Sequence, residues 1–133
     1  AWLAGLDRDR WYVGDAETAL ARRDQFNLID LTSGWKIDLV IRKDRPFSHS
    51  ELARRRIRPI AGTSMPVAAA EDVVLSKLEW AAASGSERQV ADAVSVLAAV
   101  ADEIDLEYLR RWADELGVRD ELEEALGAAG LQP

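Results

Sequence analysis

The chain has 133 residues and a formal net charge of −7, and apolar and charged residues make up 48% and 31% of it. This length and mix are typical of one globular domain, or of one domain with a small helical addition. The absence of cysteine excludes disulfides and thiolate chemistry, and the single histidine, His49, excludes a multi-histidine zinc site within this sequence. No apolar run reaches the roughly 20 residues of a membrane helix, so we expect a cytoplasmic protein that contacts no membrane.

Strand and turn patterns dominate the first half of the chain. Trp11–Val13 is a short strand candidate, and Asp15 is placed to cap a brief helix. Two extended runs, 26–31 and 35–41, follow on either side of a three-residue turn that ends in Gly34. Such runs around a short glycine-containing connection predict an antiparallel hairpin.

A short helix and a second hairpin are predicted next. Ser48 or Ser50 could cap a helix that runs to about Arg56. The runs 57–60 and 63–67 flank an Ala-Gly turn and predict a weaker hairpin, which the two prolines within it would confine to edge positions.

Helical spacing dominates the second half. A helix is predicted from Glu71 to about residue 83, and Ser86 with Gln89 has the spacing of a capping box for the next helix. Asp105 is expected to cap a third helix that Gly117 ends, and Asp120 to cap a last one. The tryptophans at positions 80 and 112 recur with apolar partners at helical spacing and are predicted core anchors.

The charge is unevenly distributed along the chain. Seven basic residues fall between positions 42 and 58, whereas ten acidic residues fall between positions 102 and 124. The seven are Arg42, Lys43, Arg45, Arg54, Arg55, Arg56 and Arg58. A positive segment on an acidic protein suggests a local anion site, and taken alone it is more simply explained as a solvated basic helix face.

Asp38 is the most informative single residue. Period-two alternation places it mid-strand, with Lys36 and Val40 on its own face. Aspartate is disfavoured in strands, so this position invites either a metal or a basic partner. The alternative is a salt-bridged aspartate on the open face of a sheet.

Several segments together resemble bacterial nucleotidyltransferase-like proteins related to the abortive-infection (AbiEii-type) toxin nucleotidyltransferases. The resemblance covers nearly the whole chain. It is carried by the segments 26–30, 34–40, 42–47, 70–80, 84–89 and 105–113.

The resemblance implies a polymerase-β-like nucleotidyltransferase core with a helical tail. In that fold a Gly-Ser turn and a pair of aspartates on an early strand bind the triphosphate and two divalent ions, and a third aspartate, which Asp38 matches, completes the site. Several carboxylates are needed because two Mg²⁺ ions must neutralise the phosphates and activate the attacking hydroxyl. No Gly-Ser turn with an Asp-x-Asp strand precedes Asp38. We therefore expect these elements upstream of Ala1.

The resemblance also implies a second candidate position on the helix from Glu71. Glu71, Asp72, Lys77 and Asp92 match the family's pattern, whereas Ala91 stands where an arginine is expected. Lys77 could point its ammonium at a phosphate or pair with Asp92. Glu71 and Asp72 are equally explained as carboxylates favoured by a helix N-terminus.

The sequence therefore predicts an α+β protein, with a partial polymerase-β-like mixed sheet in residues 1–67 and a helical bundle in residues 68–133. The function implied is metal-dependent transfer of a nucleotide from a nucleoside triphosphate to an RNA or protein acceptor. Catalysis would rest on Asp38 and Lys77, with phosphates held by Lys77 and by the basic residues Arg42, Lys43, Arg45 and Arg54–Arg56. The alternatives are a non-catalytic relic of toxin–antitoxin type that binds a protein partner or a second copy, and a simple anion- or nucleic-acid-binding module.

Overall fold

The structure is a computed structural model that describes residues 2–131, for Trp2 the backbone alone. The fold is α+β, and the chain divides after Ser48 into two compact units. The division places the second hairpin with the helices, whereas the sequence placed it in the first domain. In the described part of the chain, no helix is long and apolar enough to cross a membrane.

The first unit is a three-stranded antiparallel sheet with one short helix against it. It contains a 3₁₀ turn (Trp2–Gly5), β1 (Trp11–Val13), α1 (Ala16–Arg22), β2 (Gln25–Asp30) and β3 (Lys36–Val40), with β2 in the middle of the sheet. The small core consists of Ala19, Phe26 and Leu28. The predicted hairpin of β2 and β3 is confirmed, and Asp15 caps α1 by accepting a hydrogen bond from the Thr18 N–H at 3.0 Å.

The expected mixed sheet is wrong for the described residues, because every strand pairing there is antiparallel. The connections explain this result. A parallel pair needs a crossover of a dozen or more residues, whereas β2 and β3 are joined by a tight turn and β1 and β2 by little more than α1.

The second unit begins within α2 (Pro46–Arg54), which spans the division, and continues into the second predicted hairpin, β4 (Arg56–Ile60) and β5 (Thr63–Val67). Ala61 and Gly62 both have positive φ, of 48° and 80°. Two left-handed central residues define the turn that suits a two-residue hairpin, so this prediction is confirmed.

Four helices form the rest of this unit: α3 (Ala70–Ser84), α4 (Glu87–Ala99), α5 (Leu106–Leu116) and α6 (Arg119–Ala128). Helix α3 packs against all three of the others, which confirms the bundle. The core residues are apolar and recur at helical spacing. They are Val74, Leu75, Leu78, Ala81, Ala93, Leu97, Leu109, Trp112, Ala113, Val118, Leu122, Ala125 and Leu126.

Two of the predicted helix ends in the bundle are confirmed. The Asp105 carboxylate accepts a hydrogen bond from the Tyr108 N–H at 2.9 Å, as an N-cap does. Gly117 ends α5 with φ 70°, a conformation that costs a side-chain-bearing residue more than it costs glycine.

Other local predictions are wrong. Trp80 is exposed rather than a core anchor. Ser86 precedes α4 without a side-chain capping bond, and the Gln89 side chain accepts a hydrogen bond from Lys77 instead of completing the predicted box. Helix α6 begins after Val118, so Asp120 lies in its first turn and is not its cap.

Candidate functional sites

Asp38 lies in the middle of β3, as predicted, on the face opposite to the small core. Its side chain is 53% exposed and its carboxylate is 3.1 Å from the Lys36 ammonium on the same strand. Asn27 is directly opposite it on β2. The structure therefore shows the salt-bridged aspartate of an open sheet face, which is accessible to solvent and to a ligand.

No further carboxylate joins Asp38 to form a metal centre in the described structure. Among residues 2–131, no group of three or more histidine, aspartate or glutamate side chains is arranged to hold an ion. A single carboxylate would hold Mg²⁺ weakly, because that ion keeps most of its waters unless phosphates and other carboxylates help. The Mg²⁺ site thus stays a prediction that needs additional ligands.

The first three predicted phosphate ligands lie in the connection between β3 and α2. The Arg42 carbonyl accepts a hydrogen bond from the Arg23 guanidinium at 3.1 Å, and Arg45 donates to the Ser48 hydroxyl at 3.2 Å. None of Arg42, Lys43 and Arg45 is without a partner. Phosphate binding would therefore have to replace existing contacts at these positions.

Arg54 belongs to a buried polar network that the sequence did not predict. Its guanidinium donates to Glu71 at 2.9 Å and to Asp72 at 3.3 Å, and it lies 3.6 Å from the centre of the Tyr108 ring. The Glu71 and Asp72 side chains are 7% and 0% exposed. Buried carboxylates require such partners, since an uncompensated buried charge costs several kcal/mol.

Tyr108 and α5 complete this network. The Tyr108 hydroxyl donates to the second Asp72 oxygen at 2.6 Å and lies 3.0 Å from the Ser50 hydroxyl. The remaining Glu71 oxygen accepts the Asp105 backbone N–H at 3.2 Å. Burial, reinforced by the hydrogen bond to Asp72, raises the pKa of Tyr108 to about 12. We call Ser50, Arg54, Glu71, Asp72 and Tyr108 the α2–α3–α5 network.

In this network Glu71 and Asp72 are the buried partners of Arg54, a role that their position at the start of a helix did not predict. The sequence explained them by the helix dipole, which acts on exposed carboxylates as well as buried ones. The apolar stripe of α3 offered a signal, because Asp72, Leu75 and Leu78 are three residues apart and Glu71 precedes Leu75 by four. That spacing places the two acids next to the buried face, where they need a cation.

Lys77 is held by α4. Its ammonium lies 2.9 Å from the Asp92 carboxylate and donates to the side-chain amide oxygen of Gln89 at 3.1 Å. The Lys77 hydrogen bond and charge lower the pKa of Asp92. The structure therefore brings together Lys77 and Asp92, which the sequence paired, as a contact between two helices.

The last basic residues of the predicted anion site are three exposed arginines that follow Arg54 in the chain. Arg55 lies between α2 and β4, and its guanidinium donates a hydrogen bond to the Leu52 carbonyl. Arg56 and Arg58 lie on β4, on either side of Ile57. All three arginines are exposed. Within the part of the chain that the structure describes, no carboxylate forms a salt bridge with them. We call Arg55, Arg56 and Arg58 the hairpin arginines.

No family model matches the chain, and no curated protein or solved structure is significantly similar to it. The resemblance to nucleotidyltransferases therefore stays a prediction.

The raised pKa of Tyr108 predicts how this residue titrates. The chain has two tyrosines, so a Tyr12→Phe variant reports on Tyr108 alone. We expect the phenolate absorbance of that variant to rise with a midpoint near pH 12, above the ordinary value of about 10. Because the folded pKa lies above the unfolded one, the stabilisation is complete below about pH 10 and is lost as the pH rises towards 12.

The control for this titration is the helical circular dichroism signal, which must persist through the transition. A midpoint near pH 10 while the helices are intact would contradict the buried hydrogen bond from Tyr108 to Asp72.

Proposed function

We propose that this chain is a phosphate-binding module of a nucleotidyltransferase-like protein, and that the hairpin arginines hold the phosphates of a nucleotide or short RNA. The observation that carries the proposal is the exposure of three arginines within four residues of sequence, which no described carboxylate neutralises. By contrast, Arg54, four residues from Arg58 in the sequence, is committed to Glu71 and Asp72.

Arginine geometry supports this choice of ligand. Guanidinium groups present their donors in a planar fork that matches phosphate oxygens and binds them bidentately. Arg56 and Arg58 are two positions apart on β4 and project from the same face of the hairpin, at a spacing of about 7 Å. Two such groups can contact one triphosphate or neighbouring phosphates of a strand.

The acidic remainder of the protein limits this binding. With a net charge of −7, the molecule as a whole repels polyanions, so affinity must come from local contacts. Neutralising phosphates releases counterions, and binding of this kind weakens steeply as salt is added. We therefore expect weak, salt-sensitive binding confined to the hairpin.

Replacing Arg55, Arg56 and Arg58 by glutamine tests this proposal. We expect the triple variant to lose most of its affinity for a fluorescent nucleoside triphosphate and for a short single-stranded RNA at low salt. The slope of log affinity against log salt for the RNA should fall by about 0.7 for each lost phosphate contact. Fluorescence anisotropy over a salt series measures both quantities.

The matched control removes the same number of charges elsewhere. Arg8, Arg22 and Arg88 are also exposed, and a variant with glutamine at these three positions has the same net charge as the hairpin variant. Equal losses in the two variants would show that total charge, and not the hairpin, controls binding. Undiminished affinity in the hairpin variant would refute the proposal.

A second candidate function is metal-dependent nucleotidyl transfer that uses Asp38, and the accessibility of this carboxylate on β3 favours it. Transfer of this kind draws on several carboxylates, so Asp38 could supply only one of the ligands. The Lys36 ammonium beside it could contact a phosphate oxygen of the bound nucleotide.

Paramagnetic broadening tests this candidate directly. With Mn²⁺ and ATP present, we expect the amide signals of Asp38 and Asn27 to broaden in nuclear magnetic resonance spectra. The effect should vanish in Asp38→Asn and persist in Asp9→Asn, an exposed aspartate of the same unit. Equal broadening in both variants would show that Asp38 is not a metal ligand.

A further inference from the structure

β3 presents an open backbone edge. It is the outer strand of the sheet order β1–β2–β3. The Trp35 carbonyl accepts a hydrogen bond from Asp30, and the Ile41 N–H donates to Asp24, so the odd-numbered residues of β3 direct their backbone groups towards β2. Because alternate residues of a strand face opposite edges, the N–H and C=O groups of Lys36, Asp38 and Val40 point away from the sheet.

The other described strand edges are protected against pairing, and this one is less so. β4 and β5 each contain a proline, Pro59 and Pro66, and β4 adds two arginines. Proline and like charges are common means of blocking an edge. β1 has only three residues. β3 has five residues and no proline, and its two charges have opposite sign.

The side chains of this edge are also incompletely covered. Trp35 is 75% exposed and Ile37 is 44% exposed, although Ile37 lies on the same face as the core residues Phe26 and Leu28. Leu39, on that face as well, is half-buried. An exposed tryptophan beside an exposed β-branched residue offers apolar surface to a partner strand.

The charge pattern selects the partner and the register. When β3 pairs antiparallel with an identical strand, one residue lies opposite its own counterpart, and the pairing is centred on that residue. Centring on Ile37 places each Lys36 opposite the Asp38 of the other copy. Centring on Asp38 places the two aspartates opposite each other, and centring on Lys36 does the same for the two lysines. Centring on Leu39 places each Asp38 opposite a valine.

Only the register centred on Ile37 therefore pairs opposite charges. It also fits the backbone, because Lys36 and Asp38 are outward-facing residues that can exchange both of their hydrogen bonds. On the other face it places Trp35 against Leu39 of the second copy, and Ile37 against its own counterpart.

We propose that β3 is a self-association edge, through which two copies of this chain form a symmetric dimer by antiparallel pairing centred on Ile37. The contact is isologous, as most dimer contacts are, and it joins two three-stranded sheets into one of six strands. The inference is independent of phosphate binding by the hairpin arginines. It makes Lys36 of the second copy a competitor of any metal for Asp38.

Charge reversal on this edge tests the proposal. In Lys36→Glu all four charges of the dimer contact become negative, and in Asp38→Lys they all become positive. We expect each variant alone to dimerise at least about tenfold more weakly than the wild type. An equimolar mixture of the two variants should form a heterodimer, because the two introduced charges then face each other with opposite sign, as do the two unaltered residues. Sedimentation equilibrium in EDTA measures these affinities without any contribution from metal.

A measurement on the unaltered chain complements the variants. Hydrogen exchange at the Lys36 and Asp38 amides should slow as the concentration rises, since only the dimer bonds them, while exchange at the Ile37 amide should not change. A wild type that stays monomeric into the millimolar range would overturn the proposal. So would reversal variants that dimerise as the wild type does, or a mixture that forms no heterodimer.

Discussion

The second unit depends on the neutralisation of two buried carboxylates at the start of α3. Glu71 and Asp72 have almost no exposure to solvent, and they share the cation of Arg54 from the end of α2. Tyr108 of α5 and the N–H of Asp105, the N-cap of that helix, satisfy the remaining oxygens. Because a buried charge without a partner is strongly unfavourable, these contacts fix α2 and α5 relative to α3. The apolar bundle core then packs around a framework that the polar groups specify.

This constraint also divides the basic segment into residues with different roles. Arg54 neutralises buried acids, so its charge is not offered to a ligand. The hairpin arginines follow it directly in the chain, yet they are exposed, on or just before a strand pair that contributes no fully buried residue. A run of like charges can therefore contain one structural cation and several that remain available for an anion. The division is a consequence of the helix-to-strand change after Arg54, which turns successive side chains towards different environments.

Local patterns allowed much of the fold to be predicted. Both hairpins follow from apolar alternation around glycine turns, and α5 follows from an aspartate cap and a glycine stop. Predictions that needed tertiary information were less successful. Trp80 looked like a core residue by spacing, but the buried face of α3 passes through Leu75 and Leu78. The Gln89 side chain does not cap α4, and it accepts a hydrogen bond from Lys77 of α3 instead. Similarly, nothing in the sequence around Arg54 indicates that Glu71, 17 residues later, is its partner.

The most direct test of this account is the free energy of unfolding of the second unit, measured by urea titration with helical circular dichroism. Arg54→Met removes the shared cation and should cost about 3 kcal/mol or more, because two buried carboxylates lose their partner. Adding Glu71→Gln and Asp72→Asn to this variant removes the stranded charges and should restore most of the loss. A single variant as stable as the wild type, or a triple variant no more stable than Arg54→Met, would contradict the claim that these acids depend on Arg54.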